Sequence, residues 1–179
     1  MPVLRLFVAL YPPAEYARRL SACLNAITLP PHRPVAPDMI HLTLLFIGET
    51  DARQLDVVQE SVGRAASGIG VIRLTPSRVA SMPRRGPARL VACETDCPGN
   101  LAELHRRLAA RLARTDKARR GEGYSPHLTL GRLDAPRSGI VIDEPAEVGA
   151  FDATEIRLVR STLRPSGAVH AAVETFPLA

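Results

Sequence analysis

Two of the five histidines in this chain of 179 residues sit in the same tetrapeptide. His41-Leu42-Thr43-Leu44 recurs as His127-Leu128-Thr129-Leu130. In an extended strand, residues two apart project from one face. His41 therefore projects with Thr43, and His127 with Thr129, while the leucines between them turn toward the core. Two imidazoles brought together meet the needs of acid–base chemistry near neutral pH, one neutral as base and one protonated as acid. Two hydroxyls can donate hydrogen bonds to an oxyanion with two exposed oxygens, and a phosphodiester is the natural match. A single histidine in an apolar strand is more often a satisfied core residue, and a single threonine there needs only β-propensity. Packing gives no reason to repeat the same polar pair. Zinc is the competing chemistry, but a zinc site needs at least three protein ligands. Neither copy is followed by a further histidine or carboxylate at a matching position.

The elements around the two copies are alike. Each copy follows a proline-containing irregular segment and an upstream helix, and each runs on into apolar residues. This is the pattern of a two-lobed, pseudo-symmetric architecture. Alternation predicts a buried strand over Leu4 to Leu10. Helical spacing over Ala14 to Ile27 places Tyr16, Leu20, Leu24 and Ile27 on one face, after Pro12-Pro13. Further strands are expected over Ile40 to Gly48, Val71 to Ser81, Arg89 to Thr95, His127 to Leu133, Glu155 to Leu163 and Val169 to Phe176. Asp51 to Ala66 and Pro98 to Arg114 read as helices, the first capped by Thr50 or Asp51. Lys117 to Gly123 reads as a charged loop. Helices interleaved with hairpin-joined strands favour an α+β fold with mostly antiparallel sheets. No proline-, glycine- or serine-rich linker divides the chain, so residues 1–179 are expected to form a single bilobal domain.

Composition bounds the function. Twenty-three basic residues against 18 acidic ones give a formal charge of +5, which permits an anionic partner such as nucleic acid or a phosphorylated small molecule. Lys117 is the single lysine, so the charge is almost entirely arginine. No dinucleotide or P-loop fingerprint occurs. No apolar run reaches the ~18 residues of a membrane span, and the apolar N-terminus reads as a first strand rather than a signal peptide. Cys23, Cys93 and Cys97 form no C-x-x-C pair. They are expected to be free thiols in a reducing cytoplasm, with Cys93 a buried small hydrophobe. A monomer is the default, because no heptad or exposed apolar stripe argues for more.

The paired motifs with their flanks resemble the 2H phosphoesterase superfamily. Within it the chain is most similar to the RNA 2′,3′-cyclic phosphodiesterases, also called 2′-5′ RNA ligases. Leu4-Arg-Leu-Phe-Val-Ala-Leu10 resembles the opening strand of that family. His41-Leu-Thr-Leu-Leu-Phe-Ile-Gly-Glu49 and Ser125-Pro-His-Leu-Thr-Leu-Gly-Arg132 match its two motifs. Ser161 to Gly167 and Phe176-Pro-Leu178 resemble its C-terminal strands. The resemblance implies a bilobal fold with a central cleft, no cofactor and no metal. It implies hydrolysis of an RNA or nucleotide 2′,3′-cyclic phosphate to a 2′-phosphomonoester. By motif position His41 would be the proton donor to the leaving 3′-oxygen, and His127 the proton acceptor that activates water. Thr43 and Thr129 would hold the non-bridging oxygens, and Arg132 would add charge at the phosphate. Regular alternation puts Arg132 on the face opposite His127 and Thr129, so a twist or bulge must intervene. His170 stands where the family often has tyrosine, and Leu45 where lysine is common. The alternative activities are 2′-5′ ligation by reversal of the same chemistry, and a non-catalytic RNA- or nucleotide-binding module.

Aromatic residues are only 4% of the chain. Base stacking would fall to Phe7, Tyr11, Tyr124 or Phe151, with Phe46 set aside for its core parity relative to His41. His32, His105 and His170 read as surface or packing residues.

Overall fold

β1 (Val3–Leu10) is buried on both faces from Leu6 to Leu10, and the rest of the fold is arranged about it. The computed structural model describes residues 2–119, 123–165 and 167–179. After β1 come α1 (Ala14–Asn25), β2 (His32–Pro34), β3 (Leu42–Asp51), α2 (Leu55–Ala66), β4 (Ile72–Leu74), β5 (Pro76–Met82) and β6 (Ala88–Thr95). The chain continues with α3 (Gly99–Leu112), α4 (Asp116–Arg119), β7 (His127–Arg137), β8 (Asp143–Pro145), β9 (Phe151–Ala153), β10 (Glu155–Arg164) and β11 (Gly167–Pro177).

Every strand pairing among the described residues is antiparallel. The main sheet runs β11-β10-β1-β3-β7-β6-β5-β8, with β2 added on β7, and β4 pairs β9 in a separate ribbon. The two expected sheets are the halves of this array. Among the described residues their ladders join where β3 pairs β7, at the single pair Leu42–Leu128 between the two motif leucines. The expectation of an α+β fold with mostly antiparallel sheets holds, and the two halves of the sheet meet at the repeated tetrapeptide.

Side-chain parity follows the sequence. Leu42, Leu44, Leu128 and Leu130 are no more than 1% exposed and join the main core. The core also takes Leu20 and Leu24 of α1, Val58 and Val62 of α2, and Leu101, Leu104 and Leu108 of α3. His41, Thr43, His127 and Thr129 are half-buried on the opposite face. That face carries a small apolar cluster of Phe7, Ala9 and Val159 with Tyr11. Cys93 is a buried free thiol, pushed up to about 12 chiefly by burial. No helix among the described residues is long and apolar enough to cross a membrane.

Three expected elements differ. Val71 to Ser81 divides into β4 and β5, because Pro76 cannot donate to a ladder and starts the new strand. The second helix begins at Leu55, after a 3-10 turn over Ala52–Gln54 whose Arg53 amide donates to the capping Asp51 Oδ1 at 2.9 Å. The expected loop at Lys117 to Gly123 opens as α4, helped by Thr115 Oγ1 accepting from the Ala118 amide at 3.2 Å. Its residues 120–122 lie outside the described residues.

Candidate active site

Each copy of the tetrapeptide carries a β-bulge at its fourth residue. On β1, Ala9 faces Thr43 and the next residue, Val8, faces Leu45, so Leu44 is the extra residue on β3. On β6, Ala92 faces Thr129 and Val91 faces Gly131, so Leu130 is extra on β7. A bulge resets strand parity. The fifth residue after each histidine therefore returns to the histidine face; it is Phe46 in one lobe and Arg132 in the other. The bulge that Arg132 requires is present, and its guanidinium is close enough to disfavour protonation of both His41 and His170. Phe46 corrects the sequence reading. It is 51% exposed rather than in the core, and its ring lies parallel to Phe7 at 6.3 Å under the Arg5 guanidinium. Phe151, by contrast, is buried at 2% exposure and unavailable for stacking.

The two imidazoles are held alike. His41 Nδ1 lies 2.7 Å from the Met39 carbonyl, and His127 Nδ1 lies 2.8 Å from the Ser125 carbonyl. A carbonyl only accepts, so Nδ1 carries a proton in both rings and Nε2 is left free to take or give one. The threonines also match: each pairs across the ladder with a fully buried alanine, Ala9 or Ala92. Neither hydroxyl has a hydrogen-bond partner among the described residues.

The environments of the two histidines differ. His41 packs against Phe7 (5.2 Å), Tyr11 (5.4 Å) and His170 (5.3 Å). Burial pushes its pKa down, the Met39 carbonyl opposes that, and the charges of His170, Arg132 and His127 add to the lowering. The Leu42–Leu128 pair sets the two motifs side by side, so that His127 is among the charges His41 feels. His127 opens onto a cavity of about 350 Å³ that is also lined by Thr43, Phe46 and Tyr124.

His170 was expected to be a surface or packing residue, and it packs within the site itself. Its ring meets Phe7 edge-on at 4.9 Å, and its buried Nδ1 has no hydrogen-bond partner among the described residues. Burial, then Arg132, lowers its pKa. His105 is a packing residue, as expected: its ring stacks on Tyr124 at 3.7 Å and its Nδ1 lies 2.7 Å from the Leu44 carbonyl. His32 sits on β2 with its Nδ1 against the Pro30 carbonyl at 2.9 Å. Among the described residues no group of three or more His, Cys, Asp and Glu side chains could hold a metal.

Known proteins are similar to this chain over nearly its whole length. An RNA 2′,3′-cyclic phosphodiesterase of Thermus thermophilus is 30% identical over 189 residues, covering 98% of this chain and 90% of the relative. The crystal structure of Escherichia coli LigT complexed with phosphate superposes with a TM-score of 0.81 at 25% identity, covering 100% of this chain and 99% of that one. The LigT complex with 3′-AMP gives 0.80 at 26% identity, with the same coverage. The sequence profile of the 2′-5′ RNA ligase superfamily matches residues 12–164, a span that takes in both bulged motifs and the strands that carry them. With that match and the shared fold, the chain belongs to the 2′-5′ RNA ligase superfamily.

Proposed function

We propose that this protein is an RNA 2′,3′-cyclic phosphodiesterase that opens a cyclic phosphate end to a 2′-phosphomonoester, without a metal ion. The observation that carries this reading is the matched pair of Nδ1-anchored imidazoles, His41 and His127, each beside an unpartnered threonine hydroxyl. The activity named for the Thermus relative agrees with it.

The chemistry follows from what each group can do. The threonine hydroxyls and the Arg132 guanidinium bind the non-bridging oxygens, and charge-assisted bonds of this kind are the stronger ones. His127 Nε2 takes a proton from water as the water oxygen bonds to phosphorus. The bond from phosphorus to the 3′-oxygen breaks on the opposite side, and that oxygen takes the proton of His41 Nε2. Water and leaving group lie in line, which suits imidazoles delivered from two facing lobes. His41 resists protonation in the free protein; the bound phosphodiester, an anion, offsets this by favouring the cationic imidazole. The depressed pKa of His41 also favours a second reading, in which His41 is the base, His127 is the acid and the product is the 3′-phosphate. With the 5′-hydroxyl of a second RNA in place of water, His127 would take the hydroxyl proton, its oxygen would bond to phosphorus and the 3′-oxygen would leave with the proton of His41, so ligation needs no further residue. The free thiols Cys23, Cys93 and Cys97 fit a cytoplasmic enzyme.

Turnover of nucleoside 2′,3′-cyclic phosphates with EDTA present tests the proposal. Hydrolysis that persists supports it. Hydrolysis that stops and returns with one divalent ion rejects metal independence, and no hydrolysis of any of the four nucleosides leaves the binding-module alternative. Within this reading Thr43→Ala and Thr129→Ala each slow turnover by roughly 10- to 150-fold, the worth of one hydrogen bond to a charged group. Steady-state kinetics check this, and full activity in both variants would remove the threonines from the site.

A further inference from the structure

Each bulge frees a backbone carbonyl from the ladder, and the two lobes satisfy that carbonyl differently. In the second lobe Leu130 O accepts from the Val35 amide at 2.8 Å, a backbone bond beside β2. In the first lobe Leu44 O accepts from a side chain, His105 Nδ1 at 2.7 Å, reaching up from α3. The same imidazole lies flat on the Tyr124 ring, with centroids 3.7 Å apart and planes within 6°. Tyr124 leads through Ser125 and Pro126 into His127, and its hydroxyl lies 3.5 Å from the Thr43 carbonyl. Burial keeps that hydroxyl protonated by pushing its pKa up. One imidazole thus contacts the bulge of the first motif and the approach to the second.

We propose that His105 is a positioning residue: as a brace between the Leu44 carbonyl and the Tyr124 ring, it sets the separation of His41 and His127. Besides the shared apolar core, the ladder links the two halves of the sheet at the single pair Leu42–Leu128. The brace supplies a second link, on the side of the strands that faces α3. Its loss leaves Leu44 O without its partner and lets the first motif shift relative to the second. A misplacement of about 1 Å between reacting groups can cost ~10²-fold in rate. Substrate affinity depends on the threonine hydroxyls and the Arg132 guanidinium, none of which His105 contacts, so the loss falls on kcat.

The proposal rests on the cyclic phosphodiesterase reading, and three variants test it. His105→Phe keeps a stacking ring without the donor. His105→Gln keeps a donor and, in its planar amide, a flat group to lie on the Tyr124 ring. His105→Leu keeps neither. The leucine and phenylalanine variants are expected to lose kcat by about 10-fold or more, with KM changed by less than about threefold. The glutamine variant recovers most of the phenylalanine variant's loss, because the bond to Leu44 O is restored. If the leucine variant fails to fold, the comparison of phenylalanine with glutamine decides alone. A phenylalanine variant with wild-type kcat overturns the brace. So does a loss that tracks melting temperature across the variants with no rescue by glutamine. Wild-type turnover in the same assay reports on the proposed function separately. If the wild type is inert, that reading fails, and the brace is judged from the imidazole nitrogen resonances. His105→Phe should then shift those of both His41 and His127 and His105→Gln should not; resonances unmoved by His105→Phe overturn it.

Discussion

His41→Ala and His127→Ala each lower kcat by about 10²–10⁴-fold, the usual contribution of a positioned general acid or base. The double variant is little worse than either single one, because the two imidazoles act on one proton inventory. The fold survives these changes. Both rings stand on the cleft face, and the adjacent Leu42 and Leu128 carry the packing. His41→Ala removes contacts to Phe7, Tyr11 and His170 and should melt somewhat earlier, whereas His127→Ala, with no such collar, should melt as the wild type does. Single-turnover rates and melting followed by circular dichroism check both parts. Multiplicative losses in the double variant would mean that the histidines act in separate steps.

Arg132→Ala lowers kcat/KM by roughly 10- to 150-fold, the range for a hydrogen bond to a charged group. Arg132→Lys restores part of this, since an ammonium supplies charge without the planar fork. The pH profile carries more information than the magnitude. Arg132 is one of the charges that hold His41 below its ordinary value, so its removal raises that pKa. The profile of kcat/KM reports the free enzyme. With His41 as the acid, activity requires its protonated form, and the basic limb moves to higher pH in Arg132→Ala. With His41 as the base, activity requires the neutral form, and the acidic limb moves up instead. The limb that moves assigns the role of His41, and an unmoved profile would separate Arg132 from the histidine pair.

The two halves of the site differ in how far they could be read in advance. The repeated His-x-Thr pairs were legible because strand period is local: two residues apart is one face, whatever the rest of the chain does. The bulges were only half legible. Gly131 inside a strand pattern is a known bulge signal, and it sits next to the extra Leu130. In the first motif the sign is two adjacent leucines, Leu44 and Leu45, both buried in one strand. Reading both would have returned Phe46 to the cleft along with Arg132. His170 and His105 could not be placed from local pattern. His170 meets His41 although β10 and β1 lie between β11 and β3 in the sheet, and His105 reaches Leu44 because α3 packs on β3. Both follow from long-range order that no window of sequence contains. β2, β8 and β9 escaped notice for a related reason: three residues cannot display a period, and each exists by pairing with a distant strand.

The central claim is that His41 gives a proton to the 3′-oxygen while His127 takes one from water, with no metal involved. Phosphorus NMR of a nucleoside 2′,3′-cyclic phosphate incubated with the wild-type protein in EDTA tests it most directly. The account predicts that the cyclic resonance is replaced by that of the 2′-phosphomonoester alone. A cyclic resonance that persists in EDTA, or a product that is the 3′-phosphate alone, would contradict it.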